Sequence, residues 1–316
     1  MRLAFWKARR AKDGKIEVAE FRMSLDKNLL SLRNEILSGS IQVGKYHYFK
    51  IYDPKERKIC AATFRERILH HALMSVCHAN FEKYQIFDSY ASRIGKGTYA
   101  ALKRAGIFQW QYKWFLKLDV RKYFDTIDHS ILKTMLENRF KDKALLQIFF
   151  KIIDSYHTSP GKGLPIGNLT SQYFANHYLA LADHHIKEKL KSPAYVRYMD
   201  DMIIWANDKN KLLKIGNEFK NFIETELILT LKPFCLNSTD KGLPFLGYVL
   251  FPGTVLLNKN SRKRFKAKFK QYAFKLNSMV WDQAEYQARI LPLIAFAKHA
   301  NTFSLRTKYN NMIKIG

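Results

Sequence analysis

Residues Tyr195 to Ala206, which read YVRYMDDMIIWA, place two adjacent carboxylates between two runs of strand-forming residues. Asp200 and Asp201 fall in a short polar turn, and the flanking residues are mostly β-branched or aromatic, as in half-buried strands. The pattern predicts a β-hairpin that presents both acids at its tip, a geometry that suits divalent metal ions. Because an ordinary acidic turn can show the same four letters, this interpretation requires a partner carboxylate elsewhere in the chain.

A third carboxylate ends a predicted strand about eighty residues upstream. In the segment KWFLKLDVRKYFDTIDHS, which starts at Lys113, an apolar strand over Trp114 to Leu118 leads directly into Asp119. Two-metal nucleotidyl transfer needs carboxylates from separate elements around cations about 4 Å apart. Asp119, Asp200 and Asp201 supply such a set, and their hard oxygen donors favour Mg²⁺ over a transition metal.

Other candidate ligands have a structural interpretation. Asp125 and Asp128 follow at helical spacing and are interpreted as helix caps or surface residues. The three cysteines show no repeated C-x-x-C spacing, which argues against a disulfide framework or a zinc knuckle. One group on a predicted helix resembles a metal cluster but is interpreted as buried helix residues: His70, His71, Cys77 and His78.

The chain carries a formal net charge of +27 over 316 residues, with 54 Lys and Arg against 27 Asp and Glu. Solubility does not require such an excess, so the composition indicates a polyanionic partner. No apolar run approaches the roughly 18 residues that span a bilayer, and the N-terminus does not resemble a signal peptide. These features predict a cytoplasmic protein that binds nucleic acid and makes no membrane contact.

Two basic segments flank the acids. A predicted hairpin over residues 46–61, with its turn at Asp53 and Pro54, carries Lys50 and Arg57 and would suit a clamp on a triphosphate. Taken alone, this segment is better explained by solvated surface charge. The segment NKNSRKRFKAKFKQYAFKL, from residue 258, has seven basic residues between positions 259 and 270, interleaved with aromatic residues. It predicts a helix with a cationic face that grips a phosphate backbone, although a solvated surface helix would carry the same charge.

The remaining elements are predicted from periodicity. Helices are expected over residues 140–160 and 209–230, and short strands over LKPF at 231–234 and within LPFLGYVLF at 243–251. The segment GKGLPIGNLTSQ at 161–172 leads into a long helix. Its small and polar residues would let a nucleic-acid backbone or a base pair approach closely: Gly167, Asn168, Thr170 and Ser171.

The strand-end acid, the glycine-bearing helix segment and the Tyr-Met-Asp-Asp hairpin, in this order and spacing, resemble the palm of a reverse transcriptase, and the resemblance covers nearly the whole chain. It implies an α+β, right-hand polymerase architecture. The fingers would occupy residues 1–110, a ferredoxin-like palm residues 111–255 and a short helical thumb residues 256–316.

The resemblance also implies roles for individual residues. Asp119, Asp200 and Asp201 would be catalytic and, together with Val120, would bind two Mg²⁺ ions, for which Mn²⁺ would substitute. Phe124 would be the steric gate that selects deoxynucleotides. The implied deoxynucleotide-binding residues are Lys50, Arg57, Phe124, Ile166, Gly167 and Lys232. The implied template and primer contacts are Ser171, Gln172, Tyr198, Met199, Phe245, Leu246, Gly247, Tyr248, Lys263 and Arg264.

Within that family the chain is most similar to the reverse transcriptases of diversity-generating retroelements. It has Ile166, Gly167, Ser171 and Gln172 where related enzymes commonly show Gln-Gly-x-x-x-Ser-Pro, and FRERILHHAL and SYASRIGKG are also similar to that group. An aliphatic residue in place of an amide beside the nascent pair predicts low fidelity. The resemblance implies that these errors concentrate at template adenines. It also implies three partners: a template RNA, its cDNA, and a small basic accessory variability determinant that is oligomeric.

Alternative interpretations remain open at the level of sequence. An RNA-dependent RNA polymerase would share the acids, but a bulky residue at Phe124 argues against it. Reverse transcriptases of retrons, group II introns or phage defence differ in biology rather than in chemistry. A non-catalytic nucleic-acid-binding protein with a relic palm would keep the charge and lose the acids, whereas this chain retains all three.

Overall fold

The computed structural model describes residues 1–52 and 56–310, which form a mixed α+β structure. The predicted turn residues Asp53 and Pro54 lie outside the described residues. The helices are α1 Arg2–Arg9, α2 Ile16–Met23, α3 Leu25–Leu37, α4 Phe64–Tyr84, α5 Thr98–Gln111, α6 Tyr123–Thr126, α7 His129–Arg139, α8 Lys143–Asp154, α9 Leu169–His184, α10 Lys209–Glu226, α11 Lys259–Asn277, α12 Gln283–Lys298 and α13 Phe303–Asn310. The strands are β1 Tyr46–Tyr52, β2 Glu56–Ala62, β3 Trp114–Asp119, β4 Ala194–Tyr198, β5 Asp201–Ala206, β6 Cys235–Ser238, β7 Leu243–Phe245, β8 Tyr248–Phe251 and β9 Thr254–Leu257.

A four-stranded antiparallel sheet forms the centre of the molecule, with strand order β4-β5-β3-β6. In chain order its parts run strand, helices, two strands, helix, strand, which is the split βαβ pattern of ferredoxin-like folds. The predicted strand before Asp119 and the predicted hairpin around Asp200 are therefore both present, and they are neighbours.

The two faces of this sheet pack into different cores, because alternate residues of a strand point to opposite faces. Leu116 and Met202 face a large core that includes residues of α4, α9 and α10. Phe115, Ile203 and Trp205 face a second core that includes residues of α5, the β7–β9 sheet and α11. Asp119 and Asp201 are separated from these residues by even numbers of positions along their strands. They therefore lie on the sheet face that packs against the second core, at its end.

Sequence patterns explain how several helices begin. Asp128 caps α7 by accepting hydrogen bonds from the backbone N–H groups of Ser130 and Ile131, as its interpretation as a cap predicted. Asp142 caps α8 in the same way, which is why that helix starts at Lys143 rather than at residue 140. No helix among the described residues is long and apolar enough to cross a membrane.

One predicted strand is wrong. LKPF at 231–234 forms no strand beyond a single bridge at Leu231, and the edge strand β6 begins at Cys235 instead. Pro233 has no N–H to donate to a ladder. The single bridge, between Val120 and Leu231, is closed by two hydrogen bonds: the Lys232 N–H donates to the Asp119 carbonyl and the Arg121 N–H donates to the Thr230 carbonyl, each at 2.8 Å.

Candidate active site

Three carboxylates meet at one end of the central sheet. Met199 and Asp200 form the two-residue turn between β4 and β5, with Tyr198 paired to Asp201. Met199 adopts a left-handed backbone with φ 56°, which a tight hairpin of this kind requires. In the adjacent ladder Asp119 is the register partner of Asp201. The structure thus brings together the three acids that the sequence singled out.

Burial and mutual repulsion raise the pKa values of the turn acids. Burial is the main cause for Asp200, the charge of Asp119 adds to it, and Lys232 and Arg57 oppose it. Burial also raises the pKa of Asp201 to about 6, with Lys117 opposing and the other two acids reinforcing the shift. A site that crowds carboxylates in this way favours the binding of cations.

Two lysine ammonium groups supply positive charge at the acids. Lys232 Nζ lies 2.7 Å from Asp119 Oδ2, so the predicted nucleotide-binding lysine contacts an acid in this structure. Lys117 Nζ lies 3.0 Å from Asp201 Oδ2 and 2.9 Å from Oδ1. Sequence reasoning missed Lys117, although its position two residues before Asp119 on a strand placed it on the same face.

The donor chemistry of the site fits Mg²⁺. Asp119 Oδ1 is buried and accepts no hydrogen bond from the residues described, which leaves a hard oxygen donor available. Among those residues no three Asp, Glu, His or Cys side chains already surround one point. Val120 faces the core, and only its backbone carbonyl remains for a predicted role in metal binding.

A buried ion pair supports the turn from below and was not predicted. Arg197 donates from Nε and Nη2 to Asp183 at 2.7 and 2.6 Å, and both side chains are fully buried. The Nη1 group of Arg197 also donates to the Met199 carbonyl at 3.2 Å. The sequence did contain one indication of this ion pair, because Arg197 is a charged residue in the middle of an otherwise apolar strand.

The β1–β2 hairpin brings one of its two predicted nucleotide-binding residues into the field of the acids. Arg57 is exposed on β2, and its charge partly offsets the rise in the pKa of Asp200 that burial causes. Lys50 is exposed on β1 and forms an ion pair with Glu56 at 2.7 Å.

The loop at residues 166–168 is attached to β2. The Cys60 N–H donates to the Ile166 carbonyl at 2.8 Å, and the Ala62 N–H donates to Asn168 Oδ1 at 3.1 Å. Gly167 has φ 124°, and an added Cβ would lie 2.8 Å from a β2 side chain, so glycine is required here. Ile166 is half-buried in this junction.

The predicted steric gate is also a packing residue. Phe124 is half-buried and packs against the large core, with its carbonyl accepting from the Leu164 N–H at 2.7 Å. Its position is therefore explained by core packing alone, and the gate role stays a prediction.

The predicted template contacts near α9 differ in accessibility. Ser171 is buried, whereas Gln172 is half-buried and accepts a hydrogen bond from Ser92 at 3.1 Å. The hydroxyl of half-buried Tyr198 lies 3.2 Å from that of Thr98.

The predicted primer contacts at residues 245–248 form a second tight hairpin turn. Leu246 and Gly247 have φ values of 49° and 92° and connect β7 to β8. Phe245 and Tyr248 are buried, so only the turn residues remain for contact with nucleic acid. The Tyr248 hydroxyl donates to the Phe296 carbonyl at 2.7 Å, which fixes the turn on α12.

The basic segment forms helix α11 with the predicted two faces. Phe265 and Phe269 are buried in the second core, and Lys263 is exposed on the other side. Arg264 is half-buried between these faces. Lys263 lines a surface cavity of about 580 Å³ together with other basic residues: Lys259, Arg262 and Lys266.

Residues 53–250 match the family model described as reverse transcriptase (RNA-dependent DNA polymerase). The Putative COX1/OXI3 intron 1 protein of Saccharomyces cerevisiae is 23% identical over 285 residues, which cover 70% of this chain and 34% of that protein. The Group II intron-encoded protein LtrA of Lactococcus lactis subsp. cremoris is 24% identical over 225 residues, which cover 65% of this chain and 37% of that protein. The chain thus spans about a third of the length of these two relatives.

Among solved structures, the telomerase from Candida albicans in complex with the TWJ fragment of telomeric RNA has a TM-score of 0.53 to this chain at 14% sequence identity. The match covers 87% of this chain and 55% of the telomerase chain. At this identity the likeness concerns the fold alone. The α+β right-hand polymerase fold predicted from the sequence is confirmed.

Proposed function

The chain belongs to the reverse transcriptase (RNA-dependent DNA polymerase) family, and on that premise we propose that it is an RNA-directed DNA polymerase whose active site is built from Asp119, Asp200 and Asp201. The observation that carries the proposal is the convergence of the three carboxylates at the end of β3 and the β4–β5 turn. Family membership supports the reaction class, and the positions of the acids support the site.

The three carboxylates would hold two Mg²⁺ ions, which supply activation of the primer 3′-hydroxyl and stabilisation of the leaving oxygen when bound. The protein contributes positioning. Rigid strands hold Asp119 and Asp201 in register, and the buried Arg197 holds the turn that carries Asp200. A preorganised site of this kind lowers the barrier without reorganising during the reaction.

The incoming deoxynucleotide would lie between the β1–β2 hairpin and the acids. Arg57 contributes positive charge there, and Lys232 would exchange its contact with Asp119 for the triphosphate. Lys50 would likewise exchange its ion pair with Glu56 for a contact with the triphosphate. Phe124 would exclude the ribose 2′-hydroxyl.

The nucleic acid would be an RNA template paired with growing cDNA. In this proposal residues 1–110 act as fingers, 111–255 as palm and 256–316 as thumb. The exposed basic face of α11 supplies the phosphate grip in the thumb through residues such as Lys263. The Leu246–Gly247 turn contacts the primer strand.

We propose further that the chain is the polymerase of a diversity-generating retroelement, which copies a template-repeat RNA with errors at adenines and works with a small basic accessory variability determinant. The support is the Ile166-Gly167 segment with Ser171 and Gln172 in place of the amide-containing form. The half-buried side chain of Ile166 can pack beside a nascent pair but cannot donate hydrogen bonds to it. Its similarity to a protein encoded by a group II intron favours a reverse transcriptase of that type as the second candidate function.

Primer extension on an RNA template, with deoxynucleotides and Mg²⁺, tests the proposal. We expect product from the native chain and from Asp26→Asn, an exposed acid remote from the site, and almost none from Asp200→Asn. Acid-independent synthesis, or no synthesis by the native chain on any RNA template, would contradict the proposal.

Sequencing the cDNA separates the two candidate functions. Errors concentrated at template adenines, with fewer errors from Ile166→Gln, would support the retroelement enzyme. Faithful cDNA from the native chain would favour the intron-like enzyme, and reactions with and without an accessory protein would show whether the error spectrum depends on it.

A further inference from the structure

Lys117 joins the acid turn, which is the name used here for residues 199–201, to the β7–β8 hairpin through a single ammonium group. Its Nζ lies 3.0 Å from Asp201 Oδ2 and 2.9 Å from the Pro244 carbonyl oxygen. Lys117 is opposite Ile203 in the β3–β5 ladder, so Asp201 is its diagonal neighbour on the same face, within reach of a long side chain. One side chain thereby connects the central sheet with the three-stranded β7–β9 sheet.

This contact differs from an ordinary surface ion pair. The side chains of Lys117 and Asp201 are only 22% and 24% exposed, whereas pairs between exposed side chains contribute little. Strand β7 is an edge strand, so among the described residues no strand of that sheet other than β8 can donate a hydrogen bond to the Pro244 carbonyl. The ammonium therefore satisfies a carboxylate and an edge carbonyl at once.

The hairpin that Lys117 holds carries the turn assigned above to the primer. That turn follows Pro244 by two residues and is fixed on its other side by the hydrogen bond from Tyr248 to Phe296. The position of the primer-side turn relative to the acids therefore depends on two anchors, one on α12 and one on Lys117.

We propose that Lys117 is a positioning residue that sets the distance between the primer-side turn and the acid turn. The proposal rests on the proposed polymerase function. In-line attack is sensitive to misplacement, and an error of about 1 Å can cost on the order of 10²-fold in rate. The nucleotide-side residues Arg57 and Ile166 lie on other elements, so loss of Lys117 lowers the rate of addition more than it weakens nucleotide binding.

The test compares Lys117→Met, which keeps the length and removes the charge, with Lys117→Arg, which keeps the charge. Lys220→Met is the matched control, because it removes an exposed lysine that pairs with Glu224 on α10. Single-nucleotide addition on an RNA–DNA primer–template gives kcat and KM for the deoxynucleotide. We expect Lys117→Met to lose about 10²-fold in kcat with KM within about twofold, Lys117→Arg to recover most of the rate, and the control to match the native chain.

A second variant separates positioning from stability. Lys117→Met leaves the Asp201 carboxylate without its cation, so its Tm falls, and adding Asp201→Asn removes that buried charge and restores the Tm. The double variant is used for the Tm alone, because Asp201 is itself one of the proposed catalytic acids. The rate of Lys117→Met is measured well below its Tm, where the variant is folded, and we expect it to remain slow there. An unchanged kcat in folded Lys117→Met, or a rise in KM alone, would overturn the positioning role. An inactive native chain would overturn the polymerase function itself, which distinguishes the two failures.

Discussion

At the scale of single residues, Phe124 combines core packing with a proposed role in sugar selection. It is half-buried against the large core. If its exposed part excludes the ribose 2′-hydroxyl, Phe124→Ala raises the efficiency of ribonucleotide over deoxynucleotide incorporation on the order of 10–100-fold. The measurement is kcat/KM for both sugars. Phe150→Ala, another half-buried ring packed on the same core, controls for lost packing, and equal sugar selectivity in the two variants would remove the assignment.

Arg197 shows what one buried charge contributes to the turn. Its guanidinium bonds Asp183, and both side chains are fully buried. We expect Arg197→Met to lower the free energy of unfolding by about 3–5 kcal/mol, because an unpaired carboxylate remains buried. Urea titration measures the loss. The double variant Arg197→Met/Asp183→Leu should lose less than the single one, and a single variant within about 1 kcal/mol of the native chain would contradict this account.

At the scale of elements, His177 of α9 lies where α9 packs against α4 and α7. The ring is buried against Phe81 and Tyr84 of α4 and donates to the Met135 carbonyl of α7. Burial lowers its pKa to about 4, and the nearby Arg139 adds to the shift. The folded state therefore keeps a neutral ring where the unfolded chain, with an ordinary pKa near 6.5, already binds a proton.

This difference predicts a pH dependence of stability. Between pH 6.5 and 4 the unfolded state binds more protons than the folded state, so the free energy of unfolding falls as the pH falls. The contribution of His177 is on the order of 2–3 kcal/mol. Unfolding of His177→Gln should show a shallower dependence across this range, whereas His157→Gln, at an exposed position, should retain the native slope. An unchanged slope in His177→Gln would show that its protonation is not linked to folding.

At the scale of the whole molecule, the charge of +27 makes nucleic-acid affinity dependent on salt. If the exposed face of α11 grips phosphates, Lys263→Ala weakens binding to RNA–DNA duplexes and reduces the slope of log K against log salt by about 1. Lys220→Ala on α10 removes the same charge elsewhere and should leave the slope unchanged. Equal effects of the two substitutions would show that only net charge matters.

The sequence predicted those elements whose structure depends on residues that are close together in the chain. The strand before Asp119, the Asp200 hairpin and the two-faced helix α11 were all predicted, because periodicity and turn chemistry are local. The contacts of Lys117 and Arg197 depend on strand register and on elements far apart in the chain, so residue types alone did not indicate them. The strand expected at LKPF is limited to a single bridge at Leu231, and Pro233 has no N–H with which to extend the ladder.

The most direct test of the central claim compares two acids that are six residues apart. Asp119 lies at the sheet end beside Asp201, whereas Asp125 belongs to the short helix α6. In single-nucleotide addition on an RNA–DNA primer–template with Mg²⁺, we predict that Asp119→Asn loses at least on the order of 10²–10³-fold in rate while remaining folded, and that Asp125→Asn stays close to the native chain. Comparable rates for Asp119→Asn and Asp125→Asn would contradict the claim that these three carboxylates form the polymerising site.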